Sequence, residues 1–292
     1  MRKLRVHKSD VDGFTSATII YKYIERINPE CQVSYWLHDG KQHGLQDHIA
    51  RLTTENVNFD LIICPDSSSN DIEYHNILDE INIPCLVLDH HLVDNKLSLN
   101  AVVVNNQLSP NYENKELTGA GIVYQFCKYI DKQNGFNYAD SFIDLAALGI
   151  IGDMGSVLSK ENRYIITKGL NNIKNYFFLE ILQKQAYSIT GDADASMTSI
   201  ISKLSPITIA FYVVPMINAL IRVGTMEEKE LLFTALVDHK ENTSSGQIVC
   251  LKGTIAFVCD DSHDDCIFVN AKDKNDEENM FCLYFDEVEL IK

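Results

Sequence analysis

Residues 86–95 read LVLDHHLVDN. The apolar run Cys85–Leu88 enters Asp89, His90 and His91 without a break. A short continuous apolar run behind a proline reads as a buried strand. Three titratable groups at its end are costly to bury unless strong interactions engage them, and a metal ion would do so.

Working outward, other segments end in the same way. FDLIICPD (59–66) is a strand reaching Asp66, and VHKSDVDG (6–13) carries His7, Asp10 and Asp12 past the short strand LRVH. QVSYWLH (32–38) and LNAVVVNNQ (99–107) complete five expected strands. Between them FTSATIIYKYIERI has helical spacing, and NDIEYHNILDEI reads as a helix capped by Ser69 or Asn70. Continuous apolar strands alternating with helices imply a mostly parallel, doubly wound α/β sheet covered on both faces.

Helical patterns follow in LTGAGIVYQFCKYI and SFIDLAALGIIGDM and run to about residue 190, whereas DASMTSI and SPITIA break the pattern. Helix returns in MEEKELLFTALVDHKE, and short alternating strands follow Gly246. The expected divisions are a metal-binding α/β domain over 1–160, a helical connector over 161–242 and a small acidic β-rich segment over 243–292.

In open α/β sheets, ligands bind beyond the carboxyl ends of the strands. His7, Asp10, Asp12, Asp66 and the Asp89–His91 group therefore converge on one edge, joined by Asp153 after the apolar run LGIIG. Converging carboxylates repel, and divalent cations remove that penalty. Oxygen donors with a minority of imidazole suit Mn²⁺ and also Zn²⁺, Fe²⁺ or Mg²⁺. Two such ions activate water and neutralise a phosphoryl group, so phosphoester hydrolysis is the chemistry this donor set implies. Singly, Asp10 reads equally as a helix cap, Asp12 as an Asx turn and Asp66 as a turn residue. His38, His43, His48, His75, His239 and His263 read as surface or satisfied core histidines.

The formal net charge of −16 argues against simple coating of nucleic acid, although residues 260–292 hold eleven acidic residues against three lysines and supply half of it. The acidic segment reads as a solubilising surface or as an arm for a protein partner. The eight scattered cysteines read as free thiols of a reducing compartment. No run of 18 apolar residues suggests a membrane span, and the charged start does not read as a signal peptide, so a cytoplasmic location is expected.

HKSDVDGFTSA, IICPDSSSND, LVLDHH and LAALGIIGDM resemble, in order, four motifs of the DHH phosphoesterase superfamily. VVVNNQLSPNYENKELTGAGIVYQF and FYVVPMINALIRVG are similar to segments of its RecJ-like single-stranded-DNA-specific exonuclease branch. The resemblance spans residues 4–240. It implies two divalent cations, Mn²⁺ or Mg²⁺. His7, Asp10 and Asp66 would hold one; Asp12, Asp66, His90 and Asp153 would hold the other. It also implies Asp89 orienting His90, His91 facing the phosphate, and Asn218 and Arg222 on the phosphate backbone of a single strand cleaved from its 5′ end. Two residues separate His7 from Asp10 where the family has one or three. The glycine-rich GGGH-like segment of small-substrate members is absent from the sequence. Alternatives are a phosphodiesterase on short oligonucleotides or cyclic dinucleotides, a pyrophosphatase, and a catalytically inactive replication-associated binding subunit.

Overall fold

A computed structural model describes residues 10–37, 44–54, 59–94, 96–237, 257–258, 266–272 and 278–284. His7 and the strand expected at LRVH lie outside these residues, as do His38, His43, His239 and His263. So do the acidic stretches 259–265, 273–277 and 285–292.

Three strands form a parallel sheet in sequential order: β1 (Ile62–Pro65), β2 (Cys85–Asp89) and β3 (Val102–Asn105). Alternate side chains enter two separate cores. Ile63 and Leu88 join the core built with α1 (Val11–Ile27), α4 (Gly119–Asn134) and α5 (Ile143–Gly152). Ile62, Cys64, Cys85 and Val87 join Leu45 and Leu52, which flank and occupy α2 (Gln46–Thr54), and Leu78 of α3 (Ile72–Glu80). This two-sided burial explains why β1 and β2 read as unbroken apolar runs. β3 is less covered, with Val102 65% exposed.

The expected strand at 32–37 is not part of the described sheet. Its side chains still alternate: Tyr35 packs on Phe233 at 4.2 Å between ring centroids, and Trp36 meets Phe59 at 5.9 Å. The cap of α3 also differs from expectation. Asp71 occupies the N-cap position, and its carboxylate accepts from Leu45 N. Asn70 instead joins the loop after β2, donating to Leu92 O and accepting from Asp94 N.

α5 is buried on every side, as its sequence IDLAALGIIG demands. Burying side chains such as Leu145, Leu148 and Ile150 contributes about 1.5–3 kcal/mol each. Gly149 allows close approach: a Cβ there would lie 2.4 Å from the Ala120 Cβ and 2.7 Å from Asp12 Oδ1.

The helical region continues through α6 (Lys160–Leu170), α7 (Tyr176–Lys184), α8 (Ala186–Thr190), α9 (Met197–Ser202), α10 (Pro206–Tyr212), α11 (Val214–Val223) and α12 (Met226–Val237). The expected breaks at DASMTSI and SPITIA are therefore helices. Ser196 caps α9; Ser205 and Thr208 form a capping box on α10, with Pro206 in its first turn. The window Pro206–Val223 has mean hydropathy 1.6, apolar enough to cross a membrane by composition although Thr208, Asn218 and Arg222 interrupt it. It is divided at Val213 into helices of 7 and 10 residues, each shorter than the roughly 20 residues a span needs. β4 (Phe257–Val258), β5 (Cys266–Lys272) and β6 (Glu278–Tyr284) pair antiparallel in a second sheet, as expected for the end of the chain.

Candidate metal centre

Asp10 is the N-cap of α1, and its Oδ1 accepts from Gly13 N at 2.9 Å. That cap turns the chain so that Asp12, fully buried, faces the N-terminus of α4. Asp12 Oδ1 accepts from Thr118 Oγ1 and Ala120 N, both at 2.9 Å, and Oδ2 accepts from Gly119 N at 2.7 Å. A helix N-terminus presents otherwise unsatisfied N–H groups and favours negative charge, so α4 fixes this carboxylate.

Asp66 follows β1 in the left-handed region, with φ 58°, and is fully buried. Its N–H donates to Leu88 O at 2.6 Å, which places the residue beside the end of β2. A Cβ on Gly119 would lie 2.4 Å from Asp66 Cβ, Cγ and Oδ1. Only a glycine at the start of α4 lets Asp66 and Asp12 share this space.

His90 Nε2 points into the gap. It lies 3.1 Å from Asp66 Oδ1, 3.6 Å from Asp153 Oδ2 and 3.8 Å from Asp12 Oδ2. Burial pulls this imidazole down, but the Asp66, Asp12 and Asp153 carboxylates outweigh it and push the group up to about 9. Among the described residues, the buried Nε2 makes no well-aligned hydrogen bond. Asp153 closes the cluster from the C-terminal end of α5.

Asp89 is used differently from the sequence expectation. Its Oδ1 lies 2.6 Å from His91 Nδ1 and accepts from His90 N at 2.8 Å, while Oδ2 accepts from Ser69 N at 3.1 Å. It therefore orients the His91 ring and touches His90 through the backbone only. Burial alone would raise the Asp89 carboxyl, but His91, Ser69 and the His90 N–H hold it well below the usual carboxylate range. Asp89 lies near enough to Asp66, His90 and His91 to share an ion with them. Its oxygens are also engaged by His91, His90 N and Ser69 N. The His91 side chain is 48% exposed, so Nε2 is left on the open side.

Asp12, Asp66, His90 and Asp153 are thus brought together, with Asp10 two positions before Asp12 on the same turn. His7 lies outside the described residues. Asn218 and Arg222 lie four positions apart on α11. Asn218 Oδ1 accepts from Val11 N at 3.1 Å, and Arg222 is exposed. His75 is fully buried and faces the Cys85 thiol.

Sequence reasoning missed Thr118, Gly119 and Asn105. Asn105 pairs in register with Asp89, and its Nδ2 donates to Ser69 Oγ and His91 O, both at 2.9 Å. An Asn ending a strand beside DHH was the available signal for it. Carboxylate oxygens around one buried, unaligned imidazole nitrogen fit a divalent cation that accepts oxygen donors and a single nitrogen.

The model of the DHH family, N-terminal domain, matches residues 5–150. The chain is 40% identical over 233 residues to a putative SPbeta prophage-derived single-strand DNA-specific exonuclease, YorK, of Bacillus subtilis, covering 80% of this chain and 38% of that protein. It is 25% identical over 230 residues to the single-stranded-DNA-specific exonuclease RecJ of Thermus thermophilus, covering 78% of this chain and 32% of RecJ. The chain thus spans less than two fifths of the length of these relatives. Among solved structures, exonuclease RecJ bound to manganese superposes with TM-score 0.65 at 25% identity, over 81% of this chain and 57% of that one. RecJ of Thermus thermophilus in complex with Mn²⁺ gives 0.64 at 22% identity, over 82% and 32%, which supports the fold. With its aspartates and DHH histidines gathered at one edge of the sheet, this chain belongs to the DHH family.

Proposed function

We propose that this protein is a divalent-metal-dependent exonuclease that degrades single-stranded DNA from the 5′ end. The observation that carries the metal-dependent reading is the buried His90 Nε2 facing Asp66, Asp153 and Asp12 at 3.1–3.8 Å. The substrate is taken from relatives named as single-strand DNA-specific exonucleases.

Asp12, Asp66, His90 and Asp153 would hold one cation, and Asp66 would be shared with a second held by Asp10 and His7. Mn²⁺ is the first choice and Mg²⁺ the second. When bound, such a pair supplies an activated water and neutralises phosphoryl charge. The rest falls to the protein's own groups. The N-terminus of α4 holds the Asp12 carboxylate in place by donating to both its oxygens. Asp89 takes His91 Nδ1–H, which leaves Nε2 to meet the scissile phosphate and to exchange a proton there. Arg222, exposed on α11, offers a planar fork for a phosphate of the strand.

The net charge of −16 favours a second reading, a phosphodiesterase of short oligonucleotides or cyclic dinucleotides, because a long polyanion is repelled. One assay separates them: turnover with Mn²⁺ of 5′-labelled and 3′-labelled single-stranded DNA, a dinucleotide and a cyclic dinucleotide. The exonuclease reading expects the 5′ label to be released first as a mononucleotide. Cleavage of the dinucleotides with long strands untouched would establish the second reading instead.

A further inference from the structure

Asn218 makes a contact that spans the whole described α/β region. Its Oδ1 accepts from Val11 N at 3.1 Å, across 207 positions of sequence. The atom facing a backbone donor has to be the amide oxygen, so the orientation of the side chain is fixed by chemistry. Val11 is fully buried and sits between the two aspartates of the metal turn.

The first N–H groups of a helix have no partner within it. In α1 the Asp10 carboxylate serves Gly13 N, and the Asp10 carbonyl serves Phe14 N. Val11 N is served from outside, by α11. That helix is itself anchored, with Ile217 and Ile221 each only 2% exposed on its inner side. The end of α5 closes the opposite side, since a Cβ on Gly152 would lie 2.9 Å from the Val11 side chain. The start of α1 is therefore clamped between α5 and α11 at the residue from which Asp10 and Asp12 diverge.

We infer that Asn218 is a positioning residue of the metal centre, holding the Asp10–Asp12 turn through Val11. This rests on the metal-dependent reading given above. It assigns Asn218 a task carried out before any substrate arrives, in place of the substrate contact implied by resemblance. Groups that support metal ligands through hydrogen bonds contribute about 10–100-fold to metal affinity or activity.

The test uses the full-length chain without DNA. Mn²⁺ affinity is measured by titration calorimetry, and amide hydrogen exchange is followed in the peptide containing Val11. Asn218→Ala should weaken Mn²⁺ binding by about 10-fold and speed exchange at Val11. Asn218→Asp keeps the acceptor and should bind Mn²⁺ about as tightly as the unaltered chain. Asn218→Gln keeps the amide but displaces the oxygen by one methylene, and should resemble the alanine variant. If the alanine variant does not fold, the order of Asp above Gln carries the test. Unchanged Mn²⁺ affinity in the alanine and glutamine variants, with loss confined to DNA binding, would overturn the inference and make Asn218 a substrate contact. Failure of the unaltered chain to bind Mn²⁺ would instead remove the metal reading itself.

Discussion

The helix-end wall of the metal centre and its strand-end wall hold their carboxylates by different means. Asp12 sits against the N-terminus of α4, with donors on both oxygens. Asp66 is set by its backbone: a left-handed turn at φ 58° ties its N–H to Leu88 O and aims the side chain at His90. One wall is fixed by hydrogen bonds to the side chain, the other by the path of the chain. The lesson is that the same residue type resists substitution for different reasons on the two walls. Side-chain chemistry can be trimmed in steps at Asp12, whereas Asp66 has both a charge and a conformation to lose.

Breaking the strand-end wall should have the largest effect. Asp66→Ala removes the carboxylate nearest His90 and the proposed shared ligand, a loss of several kcal/mol of charge stabilisation, so kcat/KM with Mn²⁺ should fall roughly 10³-fold or more. A steady-state assay beside metal analysis of the purified variant checks it. Retained activity would show that Asp66 is not shared.

On the same wall, His91→Ala should leave Mn²⁺ content intact and reduce kcat by about 10²–10³-fold, as for loss of a positioned acid–base group. Elemental analysis together with single-turnover rates distinguishes the outcomes. Loss of an ion from this variant would turn His91 into a ligand and move Asp89 with it.

The helix-end wall should yield in smaller steps. Thr118→Val removes one of three donors to Asp12 while keeping the shape of the side chain. Stability should fall by about 1.5–3 kcal/mol, since a buried carboxylate loses a donor, and Mn²⁺ affinity by about 10-fold. Chemical denaturation and calorimetry measure the two. A loss as large as that of Asp66→Ala would erase the contrast between the walls.

A carboxylate on neither wall supplies the baseline. Asp140 meets Lys128 Nζ at 2.9 Å and is half exposed. Partial burial raises its carboxyl, but Lys128 and Tyr124 overcome this and hold it below its ordinary value. A depressed folded-state pKa stabilises the fold above the unfolded value of about 3.9, and that contribution fades as pH falls through the folded value. Asp140→Asn should therefore cost under about 1 kcal/mol at neutral pH, a cost that fades as pH falls through the lowered folded value, in thermal melts across a pH series.

Much of this arrangement was legible in the sequence. Apolar runs ending in Asp66 and in Asp89-His90-His91 gave the buried strands and the common edge, because a strand covered on both faces has no other way to read. The partners of Asp12 were not legible. Two of them are backbone N–H groups, which every residue but proline possesses, so no letter marks them. The choice of Asp89 between two adjacent histidines depends on how the chain turns after β2, not on spacing. The helices α9 and α10 were missed despite Ser196, Ser205 and Pro206, because runs of 6 and 7 residues are too short to display a period. The stretch 32–37 alternates as a strand does, yet pairing is a property of its neighbours rather than of its own sequence.

The turn at Asp66 has a consequence for how this position can vary over evolutionary time. Few side chains tolerate a positive φ; glycine does so freely, and asparagine and aspartate are the usual exceptions. Glycine and asparagine satisfy the geometry and forfeit the negative charge. Glutamate retains the charge and, one methylene longer, suits neither the turn nor the space left by Gly119. Two independent filters thus overlap on a single amino acid. Position 66 should stay fixed through divergence that rewrites its surroundings, and a homologue that has replaced this aspartate should have abandoned the chemistry along with it.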